Sequence, residues 1–325
     1  MTGAIRIREH GGPEVLEWST HELPSPGPGE VRVRHTAIGV NFIDVYFRTG
    51  LYPAPAMPFT PGMEGAGTVT EVGEGVSEVA RGDRVAYAAT PPGAYARERL
   101  IAADRLVPLP DSIDESRAAA MMLKGLTAQY LLRRCYAVRP GETILVQAAA
   151  GGVGLLLCQW ARHLGARVLG TVGSREKAEL ARRHGCDHTI LYREENLVER
   201  VAELTSGKGV AVVYDSVGRD TFMASLDCLR PLGTMVSFGQ SSGAIEPLDV
   251  GVLARKGSLY LTRPTLFTYI DKRQDLLNAA SELFDLVERG IINIEIGQRF
   301  PLRKADQAHR ALEGRQTTGS TLLIP

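Results

Sequence analysis

The chain has 325 residues, 44% of them hydrophobic and 23% charged, with Lys+Arg and Asp+Glu equal at 37 each. That length suits two domains, the zero net charge argues against a dedicated nucleic-acid binder, and no apolar run approaches the ~20 residues of a membrane helix. The four cysteines, Cys135, Cys158, Cys186 and Cys228, form no CxxC pair, and the N-terminal run MTGAIRIREHGGPEV is charged within a few residues and has no apolar core. Both features predict a cytoplasmic protein with reduced, buried thiols and no secretory leader.

Residues 1 to about 110 read as β-rich, with short alternating runs such as EVRVRHTAIGV and AGTVTEVG between the turn clusters HGGPE, LPSPGPGE, TPGMEGAG and RGDRV. Gly supplies positive φ in such clusters and Pro presets a turn value. Ser112 and Glu115 have capping-box spacing and predict that a helix starts there. From about residue 140 strands and helices alternate. TILVQA is a strand, followed by a helix whose Val153, Leu156, Leu157, Trp160, Ala161 and Leu164 share one face and which stops at Gly165. RVLGTV, a helix closed by Gly185, HTILY, the helix EENLVERVAELT, VAVVYDSVG, a further helix, GTMVSFG and GSLYLTR continue the series. This alternation predicts a doubly wound parallel sheet. After Pro264 the texture changes to the helix QDLLNAASELFDLVERG and a terminal strand, STLLIP.

Between the strand TILVQA and its helix stands Ala149-x-Gly151-x-x-Gly154. This is the dinucleotide fingerprint with alanine in the first glycine position. Small residues let the chain turn sharply, let a pyrophosphate approach the backbone and let helix and strand pack closely. The helix N-terminus offers its N–H groups and partial positive charge to the phosphates. Ala150, Gly151, Gly152 and Val153 are therefore cofactor-binding candidates. An NAD site carries an acid some 20 residues further on. RVLGTV ends instead in Gly173-Ser174, followed by Arg175 and Lys177, with Tyr192 at the end of the next strand. Hydroxyls and cations suit a 2′-phosphate, which predicts NADPH. Ligands approach the carboxyl ends of parallel strands. That adds Ser216 and Val217 after the fourth strand, Phe238, Gly239 and Ser241 after the fifth, and Arg263 and Thr265 after the sixth.

The run Gly141-Glu142-x-x-Leu145-x-x-x-Ala149-Ala150-Gly151-Gly152-x-Gly154-x-x-x-x-Gln159-x-x-Arg162 resembles the quinone oxidoreductase/ζ-crystallin group of the medium-chain dehydrogenase/reductase superfamily. HGGPEVL, AIGVNFIDVYFRTGLYP, PGMEGAGTV, GDRVAY, LKGLTA, VVYDSVG, VSFGQSSG and GSLYLTRP fit the same pattern along the whole chain. The resemblance implies a Rossmann domain (residues 125–265) inserted in a β-rich, GroES-like catalytic domain built from residues 1–124 and 266–325. It implies a zinc-independent NADPH:quinone reductase with a small-molecule quinone substrate. Zinc relatives carry ligands where this chain has Asn41 and Met63, and Asp44 and Glu64 alone make a poor metal site. No pairing of the seven histidines suggests a metal either.

Asn41 and Tyr46 are candidate donors, and Phe42, Tyr46 and Tyr52 candidate apolar walls, for a quinone beside the nicotinamide. The resemblance places Asn41 and Tyr46 near the nicotinamide, adds Thr127 there and brings Arg315 to the cofactor. It also implies a homodimer through the strand Gly257 to Pro264, whose edge carries one charge, at Arg263. The rival functions are an NADPH-dependent reductase of enones or alkenals and a non-enzymatic, crystallin-like NADPH-binding protein. A serine hydrolase built on Gly239-Gln240-Ser241-Ser242-Gly243 would need a helix straight after Ser241, where AIEPLDV stands.

Overall fold

The computed structural model describes residues 1–54 and 56–325. The Gly/Pro-punctuated first hundred residues form β1 (Thr2–Arg6), β2 (Glu17–His21), β3 (Glu30–Val40), α1 (Phe42–Thr49), β4 (Glu64–Val72), β5 (Arg84–Ala88), β6 (Glu98–Ala102) and β7 (Val107–Pro108), ahead of helix α2 (Glu115–Tyr130). The alternating series follows as β8 (Thr143–Val146), α3 (Gly152–His163), β9 (Arg167–Val172), α4 (Arg175–Arg183), β10 (His188–Leu191), α5 (Leu197–Leu204), β11 (Val210–Asp215), α6 (Phe222–Asp227), β12 (Leu229–Ser237), α7 (Gly251–Arg255), β13 (Tyr260–Thr262) and α8 (Leu266–Tyr269). The chain closes with α9 (Arg273–Glu288), β14 (Ile296–Pro301), α10 (Ala305–Glu313) and β15 (Ser320–Ile324).

Two units result. The first comprises Met1–Leu126, Ile270–Glu288 and Ile294–Pro325, and the second Thr127–Tyr269 and Arg289–Asn293. The first unit holds a sheet in the order β14-β15-β3-β4-β5-β7, with β6 also paired to β3. Both chain ends build it, because β15 lies antiparallel to β3 with Thr321 opposite Val40. Val31, Val33, Ile38, Val85, Tyr87, Ile101, Leu106 and Leu323 meet in its core. The last paired residue of β3, Val40, delivers Asn41 to the start of α1, whose end is marked by Gly50 at φ 78°. This short helix inside NFIDVYFRTG is an element that alternation does not reveal.

The second unit is a six-stranded parallel sheet in the order β10-β9-β8-β11-β12-β13. The chain moves outward from β8 in one direction and restarts at β11 in the other, so the switch point lies between those two strands. That is where open α/β sheets receive ligands. Helix α3 departs from the one-sided expectation, since every residue from Leu155 to Ala161 is buried. A second correction concerns α2. Ser112 does not cap it but bonds Glu288. Asp114 does, its Oδ1 accepting the N–H of Arg117 at 2.9 Å. Spacing alone could not tell two oxygen-bearing residues two positions apart.

Helix α3 approaches its own strand so closely that a Cβ on Gly154 would stand 2.3 Å from the Ala148 carbonyl oxygen. Backbone cannot yield that distance cheaply. Gly154→Ala is therefore expected to destabilise the protein by about 1–3 kcal/mol. This would be read as a lower urea midpoint at unchanged slope, and a midpoint equal to wild type would contradict the packing described.

Candidate functional site

In the second unit, the turn from β8 to α3 is pinned to β9. The Ala148 N–H donates to Thr171 Oγ1 at 3.1 Å, and the Ala149 N–H to the Thr171 carbonyl at 2.9 Å. The tight point of the turn is Ala148, at φ 54°, one residue before the fingerprint position. Gly151 precedes the first turn of α3 in an extended conformation, so Gly152 and Val153 open the helix with their N–H groups clear of intrahelical acceptors. Ala150 is buried behind them. A buried chain of hydrogen bonds supports the turn from below. Thr171 Oγ1 donates to Gln147 Oε1 at 2.6 Å, Gln147 Nε2 to Ser225 Oγ at 2.9 Å, and Ser225 Oγ to Asp215 Oδ2 at 3.0 Å.

Asp215, fully buried at the end of β11, also accepts the N–H groups of Val217 and Gly218 at 2.7 and 3.0 Å. It thereby sets the loop that carries Ser216 and Val217. The end of β12 joins that loop: Phe238 N–H and Gly239 N–H reach the Asp215 carbonyl, and Ser241 N–H reaches the Ser216 carbonyl at 3.2 Å. No helix follows Ser241, the next being α7 at Gly251. Arg263 reaches back from β13 to the Ser237 carbonyl at 2.8 Å, while Thr265 lies exposed beyond the strand.

At the end of β9 four of the expected residues converge. Ser174 is the N-cap of α4, its Oγ accepting the Lys177 N–H at 3.3 Å. A Cβ on Gly173 would meet Tyr192 Oη at 2.7 Å, which puts the tyrosine hydroxyl over the same turn. Arg175 turns to Glu194 at 3.5 Å and stays solvated. Glu176 also stands in this first helical turn, bonded to Ser174, which holds its carboxyl below the usual range. Thr127 is buried in α2. The small residues, the helix N-terminus and the Ser174 and Tyr192 hydroxyls fit a phosphorylated dinucleotide, with no carboxylate on the strand-end residue where a ribose-binding acid would stand.

In the first unit, Asn41 and Tyr46 are both 7% exposed. The Tyr46 ring has Phe42 and Tyr52 as neighbours, with centroids 6.3 and 5.2 Å away. Arg315 is exposed after α10 at φ 56°. Asn41 is more constrained than its sequence suggests. Its backbone N–H donates to Asp44 Oδ2 at 2.9 Å, and its Nδ2 to Glu64 Oε2 at 2.8 Å. Asn41 and Asp44 also close a capping box, in which the Asn41 side chain faces the Asp44 N–H. Among the described residues no cluster of three or more His, Cys, Asp or Glu could hold a metal ion.

A further polar chain, not foreseen from the sequence, runs from Asp44. Tyr95 Oη donates to Asp44 Oδ2 at 3.0 Å and contacts His309 Nε2 at 3.0 Å. His309 Nδ1 stands 3.2 Å from Arg48 Nη1, and Arg48 makes two bonds to Glu313 at 2.8 and 2.7 Å. A guanidinium only donates, so His309 accepts at Nδ1 and carries its proton on Nε2.

Two models of known protein families match this chain: an alcohol dehydrogenase GroES-like domain over residues 27–111 and a zinc-binding dehydrogenase over residues 152–281. A quinone oxidoreductase of Pseudomonas aeruginosa is 57% identical over 325 residues, covering 100% of both chains. The crystal structure of Escherichia coli quinone oxidoreductase complexed with NADPH superposes with a TM-score of 0.98 at 51% identity, covering 99% of this chain and 100% of that one. A 2-haloacrylate reductase of a Burkholderia species is 47% identical, over 100% of this chain and 99% of its own.

The buried groups give the first unit a pH signature. Desolvation, then the Arg48 charge, lowers His309 to about 3, and desolvation lowers His35 to about 4. Both are neutral in the fold where the unfolded chain is cationic, so their stabilisation is complete above pH 6.5 and is lost as pH falls. Desolvation raises Asp44 to about 7 against hydrogen bonds from Asn41 and Tyr95. Its contribution is complete below pH 3.8 and lost as pH rises through 7. Between pH 5 and 6 these three groups leave the unfolded chain with a net gain of about one proton, so stability falls by about 1.4 kcal/mol per unit of acidification. Urea titrations across that window are expected to show this slope, and Asp44→Asn to steepen it about twofold. An unchanged slope in the variant would contradict a protonated Asp44.

Proposed function

We propose, since the chain belongs to the quinone oxidoreductase family of the medium-chain dehydrogenase/reductases, that it reduces quinones with NADPH. The observation that carries the cofactor choice is the turn after β9, where Gly173, Ser174, Lys177 and the Tyr192 hydroxyl come together. NADPH, when bound, supplies a hydride from nicotinamide C4. Quinone, hydride and one proton give the hydroquinone, and NADP⁺ leaves.

The protein's share is placement. The N–H groups at Gly152 and Val153 take the pyrophosphate, with Gly151 leaving room for its approach and Ala150 behind them. Ser174, Lys177 and Tyr192 take the 2′-phosphate. Ser216, Phe238, Gly239, Ser241, Arg263 and Thr265, at the carboxyl ends of their strands, extend the binding surface beyond the switch point. Thr127, Asn41 and Tyr46 serve the nicotinamide half, Arg315 the cofactor from the first unit, and Phe42, Tyr46 and Tyr52 form the apolar wall for a flat ring. A quinone is electrophilic on its own account, so orientation and one or two donors suffice.

We place the protein in the cytoplasm on the strength of four free cysteines, three of them buried. Among the described residues no helix is long and apolar enough to cross a membrane. We also propose a homodimer through β13. This strand ends the sheet, and its Tyr260 and Leu261 are 62% and 38% exposed. An uncovered edge invites its own copy.

The protein should oxidise NADPH with 1,4-naphthoquinone and be slower with 2-haloacrylate. Lys177→Ala should raise the Kd for NADPH about ten- to hundredfold, because a charge-assisted bond is lost, and leave NADH unaffected. Equal wild-type affinity for NADPH and NADH would refute the cofactor reading. Sedimentation equilibrium should give twice the chain mass, and Tyr260→Pro, which lacks a ladder donor, should shift it to monomer. A monomeric wild type at micromolar concentration would sink the dimer.

A further inference from the structure

Glu64 opens β4 with no exposed surface, and both its oxygens are engaged. Oε1 accepts the Leu123 N–H at 2.8 Å. Oε2 accepts Asn41 Nδ2 at 2.8 Å and Lys124 Nζ at 2.8 Å. Lys124 is itself only 4% exposed. The niche is kept open by Gly39, where a Cβ would lie 2.1 Å from Glu64 Oε2 and 2.4 Å from the Ala119 carbonyl oxygen. An ionised carboxylate only accepts, so the Asn41 atom facing it must be the NH₂ group. The amide cannot turn over without setting its own oxygen against Glu64. At its other end the Asn41 N–H is gripped by Asp44.

We infer that Glu64 and Lys124 are positioning residues of the reaction: their buried ion pair holds the Asn41 amide in a single orientation, with its second N–H presented at a fixed place. This rests on the reading that Asn41 lines the nicotinamide and substrate pocket. Lys124 acts by balancing the charge that Glu64 must keep in order to hold Asn41. Without Lys124 that charge is buried with no counter-ion, and Glu64 leaves Asn41 for other donors or for water. The amide is then free to choose between two orientations, of which one is productive.

The test uses steady-state kinetics with 1,4-naphthoquinone and NADPH binding by nucleotide fluorescence. Lys124→Met is expected to lower kcat about ten- to hundredfold, the usual penalty of a misplaced group, with Kd for NADPH changed less than about threefold. The double variant Glu64→Gln/Lys124→Met is neutral but brings one acceptor oxygen where the Leu123 N–H and Asn41 Nδ2 each need one, and should recover kcat only in part. Glu64→Leu/Lys124→Met is equally neutral but offers no acceptor, and should stay low. Equal recovery by both doubles would mean that only charge burial matters, and would overturn the inference. Asn41→Ala separates the two levels of the argument. If it turns over like wild type, the pocket reading itself fails. If it is impaired while Lys124→Met is normal, the positioning role alone fails. Should the doubles not fold, nitrogen-15 NMR of the wild type decides. One Asn41 side-chain proton should exchange with solvent about a hundredfold more slowly than those of an exposed asparagine, and exchange at the exposed rate would overturn the inference.

Discussion

A carboxyl group with no exposed surface must find its hydrogen-bond partners inside the protein, and a positive charge as well where it stays ionised. The first unit contains two such groups, Asp44 and Glu64, and much of its local structure answers to them. Glu64 draws in the Lys124 ammonium and the Leu123 N–H from α2 and the Asn41 amide from the end of β3. Asp44 takes the Asn41 N–H and the Tyr95 hydroxyl, and Tyr95 passes the demand to His309, Arg48 and Glu313. Asn41 stands where the two sets of bonds meet. Helix α10, from the far end of the chain, is thereby tied to α1 by an ion pair whose Arg48 side chain is 1% exposed.

The second unit obeys a different constraint, the nearness of backbone to backbone. A pyrophosphate can sit on a helix N-terminus only if no side chain intervenes. The residues from Ala148 to Gly154 meet that condition, and the polar chain Thr171–Gln147–Ser225–Asp215 keeps their turn from relaxing. Asp215 serves two ends at once, since its Oδ1 shapes the Ser216–Gly218 loop while its Oδ2 closes the chain beneath the fingerprint. Turn and loop lie on either side of the switch point between β8 and β11.

What could be read from the sequence was whatever local periodicity or spacing records. The parallel sheet, the fingerprint and the edge position of β13 each follow from a pattern within a few tens of residues. The Glu64–Lys124 pair joins positions 60 residues apart, and Arg48–Glu313 positions 265 apart. No window of sequence shows such partners, and a polar residue with a distant partner looks like any solvated one. His309 shows no pairing in the sequence, and it is fully buried. Helix α1 escaped because its eight residues lie in a segment whose aromatic content suits a pocket wall equally well. The buried far side of α3 escaped because Leu155 and Cys158 contribute nothing to a one-faced pattern.

The same bonds bear on the choice of substrate. A ketone or aldehyde of ordinary reactivity needs strong polarisation of its oxygen before it accepts a hydride, as a metal can provide. Here both Glu64 oxygens already serve N–H donors, and Asn41 replaces a ligand-type residue, so the donor set around Glu64 is closed on itself. The positive charge of Lys124 is spent on Glu64 and not directed to a substrate oxygen. On the proposed reading Asn41 and Tyr46 contribute a fixed amide and an aromatic surface, which favour substrates that carry their own activation. A quinone does so through its second carbonyl, and a 2-haloacrylate through the carboxyl and halogen on its double bond. A site built to orient and not to polarise accounts for both kinds of reductase among proteins so similar to this chain.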